Sequence, residues 1–266
     1  MGTGPWRSPK QIEVVRVRTP TVGSVADPHF EIPRLAEILD PLDHDRADLD
    51  AYVAMVDELG AQTILDIGCG TGTFASLLAT RGKEVIGVDP ANASLEVARR
   101  KPGAERVRWL HQDASDLPPM QVDLATMTGN VAQVILTDDE WTATLESVRA
   151  ALQPVGWLVF ESRDAGARAW LEWNPQDTYY RAVVPAVGAI EAWVEVLNVT
   201  DELVSFRSTF VFDSDGAVLT SDSTLRFRTS DELAESLVAG SFSVRDIRDA
   251  PDRPGLEFVF VAQRTD

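Results

Sequence analysis

The stretch Ile64-Leu65-Asp66-Ile67-Gly68-Cys69-Gly70-Thr71-Gly72-Thr73-Phe74 decides the fold. An apolar run meets three glycines at alternating positions and then turns amphipathic, which is the pattern of a strand, a tight turn and a helix start. Glycine lets such a turn take φ > 0 and approach a ligand, and the unpaired N–H groups of the following helix form a polar rim. Three glycines alone are a weak sign of nucleotide binding, because similar turns serve packing. Two details sharpen the reading. Asp66 stands where a dinucleotide-binding strand would carry an apolar residue, and the glycines run G-x-G-x-G instead of G-x-G-x-x-G. A carboxylate aimed at the turn suits a ligand with a cationic amine and argues against phosphate.

Downstream, Phe74, Leu77 and Leu78 form the buried stripe of a helix that ends at Arg81-Gly82. The second strand, 84–89, ends in Asp89, about 20 residues after the first glycine, where an acid can accept hydrogen bonds from two ribose hydroxyls. Pro90 follows it. A helix carrying Leu95 and Ala98 leads to a third strand, 107–111, which exits at Gln112-Asp113-Ala114. Asp113 is there placed to bond an adenine amino group, and His111 reads as structural. The fourth strand, 122–127, ends at Met127 and exits through Thr128-Gly129-Asn130-Val131-Ala132-Gln133. Polar residues are costly in a buried loop, so this exit reads as a substrate mouth.

Upstream, the pattern turns helical at Pro33, and Leu49, Tyr52, Val53, Val56 and Leu59 recur at helical spacing up to Gly60. That helix is expected to cover the sheet edge beside the glycine turn. Arg34 and Arg46 stand in its polar approach, where a guanidinium can hold a ligand carboxylate, though each reads equally well as solvated. Residues 1–28, rich in Pro and Gly with a local basic excess, read as a tail in which 11–18 could pair as an edge strand.

Trp141, Leu145, Val148 and Leu152 mark a further helix, followed by the turn Gln153-Pro154-Val155-Gly156 and a fifth strand, 157–160, with the polar exit Glu161-Ser162-Arg163-Asp164. From about 171 the alternation becomes β only, with period-two segments at 190–199, 203–212 and 217–228. A helix at 230–239 and strands at 243–249 and 257–262 finish the chain. The expected class is α/β: a Rossmann-like, doubly wound seven-stranded sheet with its last strand antiparallel, plus an antiparallel β insertion after the fifth strand. The expected division is a tail at 1–28, a core at 29–170 and 229–266, and an insertion at 171–228 capping the substrate pocket.

Acidic residues outnumber basic ones 42 to 24, and the net charge of −18 opposes phosphate backbones, so a nucleic acid partner is not expected. One cysteine, Cys69, makes neither an internal disulfide nor a cysteine-rich zinc site, and no metal site is expected. Without a run of transmembrane length or a basic-then-apolar leader, the expectation is a cytoplasmic protein with no membrane partner. A homodimer is compatible with the sequence.

Asp66-Ile-Gly-Cys-Gly-Thr-Gly72, Asp89, Asp113, the fourth-strand exit and the order of elements together resemble class I S-adenosylmethionine-dependent methyltransferases, and the antiparallel insert resembles the sugar N,N-dimethyltransferase and natural-product type. The resemblance runs from about Pro33 to the end. It implies S-adenosyl-L-methionine as cofactor, approached by Gly68 and Gly70. Asp66 would hold its amine, Asp89 its ribose and Asp113 its adenine, with Arg46, Pro90, Ala114 and Met127 completing the cofactor set. The acceptor would be a small molecule methylated on N or O, with Trp170, Trp173, Tyr180 and Trp193 as candidate walls. The catalytic residue stays unknown, with Asn130, Gln133, Arg163 and His44 as candidates and His29 as a second histidine near the lid.

Two features depart from the family pattern. Val155 replaces a glycine in the turn before the fifth strand, and Leu39 stands where relatives carry the tyrosine of a Tyr-Asp pair that closes over the methyl group. The second departure leaves open a protein that binds the cofactor without methylating. A nicotinamide oxidoreductase is the nearest competing enzyme class, opposed by Asp66 and the glycine spacing.

Overall fold

A computed structural model describes residues 26–43, 45–250 and 252–265. Residues 1–25 of the expected tail, with its edge strand at 11–18, fall outside the described residues, as does His44, while Pro28 at the expected tail's end is buried at the start of a helix.

The chain opens with α1 (Pro28–Glu31), α2 (Pro33–Leu42) and α3 (Leu49–Glu58). It then alternates through β1 (Thr63–Ile67), α4 (Thr73–Thr80), β2 (Glu84–Asp89), α5 (Asn92–Ala98), β3 (Val107–His111), β4 (Val122–Met127), α6 (Asp138–Ala151) and β5 (Leu152–Arg163). After α7 (Pro175–Thr178) come β6 (Tyr180–Val184), β7 (Gly188–Thr200), β8 (Leu203–Phe212) and β9 (Val218–Arg226). The core resumes with α8 (Ser230–Ala239), β10 (Phe242–Asp249) and β11 (Glu257–Arg264).

The core sheet has seven strands in the order β10-β11-β5-β4-β1-β2-β3, with β11 antiparallel to both β5 and β10. Strand alternation sends Leu65, Ile67, Leu158 and Phe160 to one face, where α6 and α8 cover them with Trp141, Leu145, Val148, Leu233 and Leu237. The other face, with Ile64, Leu124, Val159 and Val259, is covered by α3 and α4 through Tyr52, Val53, Val56, Phe74 and Leu78. Here α3 corrects an expectation: its apolar stripe lies on the sheet face above β1, β4, β5 and β11, because an edge strand would leave most of that stripe wet.

Two further differences concern the fifth strand and the insert. Leu152 opens β5 instead of closing the helix before it, and residues 153–156 loop out where the pairing with β4 jumps from Val122↔Leu152 to Leu124↔Trp157. Val155 sits in that loop at φ +61°, the left-handed region a β-branched residue avoids. The insert is a four-stranded antiparallel sheet, β6-β7-β8-β9, whose first strand period-two reading missed because it is short and ends against Pro185.

One face of the insert sheet is filled in two places. Leu35 and Ile38 of α2 pack on Val184, Ile190, Ala192, Phe210 and Phe212. Farther along, Trp170 and Trp173 pack on Val204, Phe206, Leu225 and Phe227. At the end of β9, Arg226 pairs with Asp138 and Glu202, and Arg228 donates to the carbonyls of Ala132 and Thr137. These bonds tie the insert to the β4 exit and to α6.

Candidate active site

Gly68, Gly70 and Gly72 lie at φ +65°, +54° and +75°, so the turn needs all three. Their surroundings differ. A Cβ on Gly68 would meet Val131 Cγ2 at 2.4 Å, and one on Gly72 would meet the Trp109 ring at 2.4 Å. A Cβ on Gly70 would meet nothing within 4 Å. Gly68 and Gly72 therefore serve packing against the β4 exit and β3, while Gly70 borders open space.

The Gly70 N–H donates to Asp89 Oδ2 at 2.7 Å, and the Ala91 N–H donates to Asp89 Oδ1 at 2.7 Å. Burial raises the Asp89 pKa, and these two N–H groups oppose the rise. Each carboxylate oxygen keeps a second lone pair for a hydroxyl donor. Pro90 lends its carbonyl to His111 Nε2 at 2.8 Å, which gives His111 the structural part expected of it. Asp113 Oδ1 accepts from the N–H and the hydroxyl of Ser115, and Ala114 is half-buried against the α6-side core.

Asp66 is 1% exposed, and Thr126 Oγ1 donates to it at 3.1 Å. Burial first, then the negative charge of Asp89, pushes its pKa up to about 7. Arg46 acts on it from the opposite sign while its Nε and NH2 groups fork onto Asp48, both at 3.1 Å. A cationic amine beside Asp66 would restore its ionised form.

Asp40 has a different task. It accepts from Thr71 Oγ1 at 2.7 Å and Thr73 Oγ1 at 3.0 Å and pairs with Lys101 Nζ at 2.8 Å. The carboxylate beside Leu39 thus staples α2 onto the glycine turn. Cys69 lies against Gly87, and burial raises its pKa well above the usual thiol value, so it is an unreactive filler.

At the exits of β4 and β5 the structure gathers Asn130, Gln133 and Arg163 into one network. Gln133, 1% exposed, accepts from Arg163 NH1 at 3.0 Å and donates to the Arg226 carbonyl at 3.3 Å. Arg163 lies 3.5 Å from Glu257 and over the Trp173 ring at 5.6 Å. Asn130, at φ +61° and 2% exposed, donates through Nδ2 to Glu257 Oε2 at 3.3 Å. Arg253 closes the group at 2.6 Å from Glu257 Oε1. Met127 is fully buried beneath α6, so what it can offer a ligand is main chain.

Of the candidate walls, Trp170 and Trp173 pack edge-on against Phe227 and Phe206. Tyr180 pairs with Ala192 and so shares the face that α2 covers, whereas alternation turns Trp193 to the opposite face. His29 stacks on Phe30 and lies 5.0 Å from Phe210, and burial lowers its pKa to about 4. The main-chain N–H of His29 donates to Ser221 Oγ at 2.9 Å. Sequence reasoning passed over Glu161, Glu257 and Lys101. Glu161 showed only as one of several polar residues at a strand end, and nothing local announces a contact with Glu257, nearly 100 residues away.

Comparison with known proteins follows the same division. Residues 64–156 match the family described as "Methyltransferase domain". The chain is 31% identical over 119 residues to the cypemycin N-terminal methyltransferase of Streptomyces sp, covering 44% of this chain and 49% of that protein. It is 30% identical over 121 residues to a ubiquinone biosynthesis O-methyltransferase of Idiomarina loihiensis, covering 43% and 48%. The chain spans about half the length of the curated relatives it matches. The sugar N-methyltransferase KedS8 of Streptoalloteichus sp shares the fold at a TM-score of 0.72 and 18% identity, over 97% of this chain and 100% of that one. The glycine turn and the strand order agree with these likenesses: residues 64–156 match a methyltransferase domain, and the chain shares the fold of solved methyltransferases.

Proposed function

We propose that the protein transfers a methyl group from S-adenosyl-L-methionine to a nitrogen or oxygen of a small-molecule acceptor held between the core and the insert. The observation that carries this is the arrangement of Asp66, Gly70 and Asp89: a buried carboxyl short of a cation, beside a glycine with open space, beside a carboxylate fixed by two N–H groups. These residues fit the cofactor. Asp66 would take its amine, Arg46 its carboxylate, Asp89 its ribose, and Asp113 the adenine amino group, with Pro90, Ala114 and the main chain of Met127 alongside. When bound, the cofactor supplies an already activated methyl on a sulfonium.

The protein's remaining work is alignment of the acceptor and exclusion of water. The insert suits that task. Between its two covered apolar areas the inner face carries Ser208, Ser221 and Ser223, all less than 9% exposed, next to His29. Related proteins named for N-terminal, sugar and ubiquinone-pathway methylation span N and O acceptors, which is the range proposed. No described helix is long and apolar enough to cross a membrane, and a lone thiol fits a cytoplasmic setting.

The test is label transfer from methyl-labelled S-adenosylmethionine to a panel of aminosugars, peptide amines and phenols. Transfer to one class supports the reading. Cofactor binding with no transfer to any class would favour a binding protein in its place.

A further inference from the structure

We propose that Glu161, resting on the methyltransferase reading above, takes the proton given up by the methyl acceptor, and that the acceptor presents an amino group to it. Glu161 is one residue before the end of the buried part of β5, on the sheet face that also carries Asp66. Asp66 is in register with Thr126, Thr126 with Val159, and Glu161 lies two residues beyond Val159 toward the carboxyl edge. Its Oε1 accepts the N–H groups of Gly129 and Asn130 at 2.5 and 3.0 Å, which fixes its head at the β4 exit. Its Oε2 accepts from no described donor and, unlike the Asn130 amide oxygen, is not closed off from solvent.

A second, independent acceptor stands beside it. Asn130 Oδ1 is buried without a partner, and the orientation of that amide is set by its Nδ2, which must face the Glu257 carboxylate. A buried amide oxygen without a donor and an open carboxylate oxygen, both at the β4 exit, suit a group with two N–H bonds. A neutral amino group brings two and keeps the lone pair that attacks the methyl carbon, whereas a hydroxyl brings one.

The charges around Glu161 come from each element packed on it. Glu257 of β11 opposes its ionisation, Arg253 before β11 and Arg163 on its own strand favour it, and burial outweighs them all, leaving Glu161 at about 7. Near neutrality such a carboxyl can take a proton and pass it to water. In the balanced step the acceptor nitrogen's lone pair forms the bond to the methyl carbon and the carbon–sulfur pair goes to sulfur. The N–H proton goes to Glu161 as its carboxylate becomes the acid.

The experiment starts from the cofactor-free protein. Carbon-13 NMR of labelled glutamate carboxyls should show one signal with a midpoint near 7, absent in Glu161→Gln and moved to lower pH in Glu257→Gln. Titration near the ordinary 4.5 overturns the proposal, because the carboxylate would then be too weak a base near neutrality. Activity gives the second arm, with glucosamine and a free peptide N-terminus as amine probes against catechol as the hydroxyl probe. Label should enter the amines, and Glu161→Gln, which keeps an oxygen for the Gly129 and Asn130 N–H groups, should slow transfer by about 100-fold or more. The S-adenosylhomocysteine Kd should stay within about twofold, and the acid limb of the rate should disappear. Wild-type rate in Glu161→Gln, or transfer confined to catechol, overturns the proposal alone. Failure of the wild-type protein to bind S-adenosylhomocysteine overturns the methyltransferase reading itself.

Discussion

At the cofactor end of the cleft, Gly70 and Asp89 meet across 19 residues of a single strand-helix-strand unit. At the proposed acceptor end, Asn130 and Glu257 meet across 127 residues, from the exit of β4 and the start of β11, which flank β5 on its two sides. The first arrangement is local and answers to main-chain geometry: glycines at positive φ and two N–H groups on one carboxylate. The second is long-range and answers to charge balance, with Glu161, Glu257, Arg163 and Arg253 offsetting one another inside the protein. Substitutions at Gly70 and Asp89 should change ligand affinity, whereas those among the buried charges of the second end should change stability and, at Glu161, turnover.

The largest effect is expected at the acceptor end. Arg163→Met removes the partner of Gln133 and one cation of Glu257, and should destabilise the fold by about 3 kcal/mol in urea unfolding. A cost below about 0.5 kcal/mol, combined with a raised acceptor KM, would instead make Arg163 a recognition residue.

The next effect couples the two ends through pH. Asp66 and Glu161 are raised to about 7 from 3.8 and 4.5, so the unfolded chain loses these protons first. Their contribution to stability is whole below about pH 4 and is lost as pH rises through about 7. The cofactor-free protein should therefore lose stability between about pH 4 and 7 through these two groups. Asp66→Asn should recover about 2 kcal/mol at pH 8 while abolishing the preference for a cationic amine. An unchanged slope in that variant would place the titration elsewhere.

Asp89→Ala should weaken S-adenosylhomocysteine binding by about 2 kcal/mol in calorimetry, since a charge-assisted bond is lost and the Gly70 and Ala91 N–H groups are left without acceptors. Unchanged affinity in the folded variant would remove Asp89 from the site.

The smallest effects separate two glycines of one turn. Gly70→Ala should cost about 1 kcal/mol of stability for its positive φ and weaken cofactor binding, because its Cβ enters the open space. Gly68→Ala must displace Val131, so its stability loss should exceed that of Gly70→Ala. Equal losses would erase the distinction between a packing glycine and a ligand-side glycine.

The same contrast accounts for what the sequence made legible. Asp66, Gly70 and Asp89 could be read because the strand-turn-helix pattern and the acid after the second strand are local regularities. Asn130 and Gln133 were read as residues of an open mouth because a polar exit is costly if buried. The structure buries both and satisfies Gln133 with Arg163 and the Arg226 carbonyl, partners that no local window contains. Glu161 stayed hidden for the same reason. The strand β6 escaped because five residues before a proline give too short an alternation. The position of α3 was misjudged because periodicity shows that a helix has a buried face without showing what buries it.

The central claim is that Asp66, Gly70 and Asp89 form a site for the adenosyl and amino-acid parts of S-adenosylmethionine. Titration calorimetry of the full chain with S-adenosylhomocysteine and, separately, with NAD tests it most directly. The account predicts one-to-one binding of S-adenosylhomocysteine and no heat with NAD. Selective binding of NAD by the folded protein would contradict it.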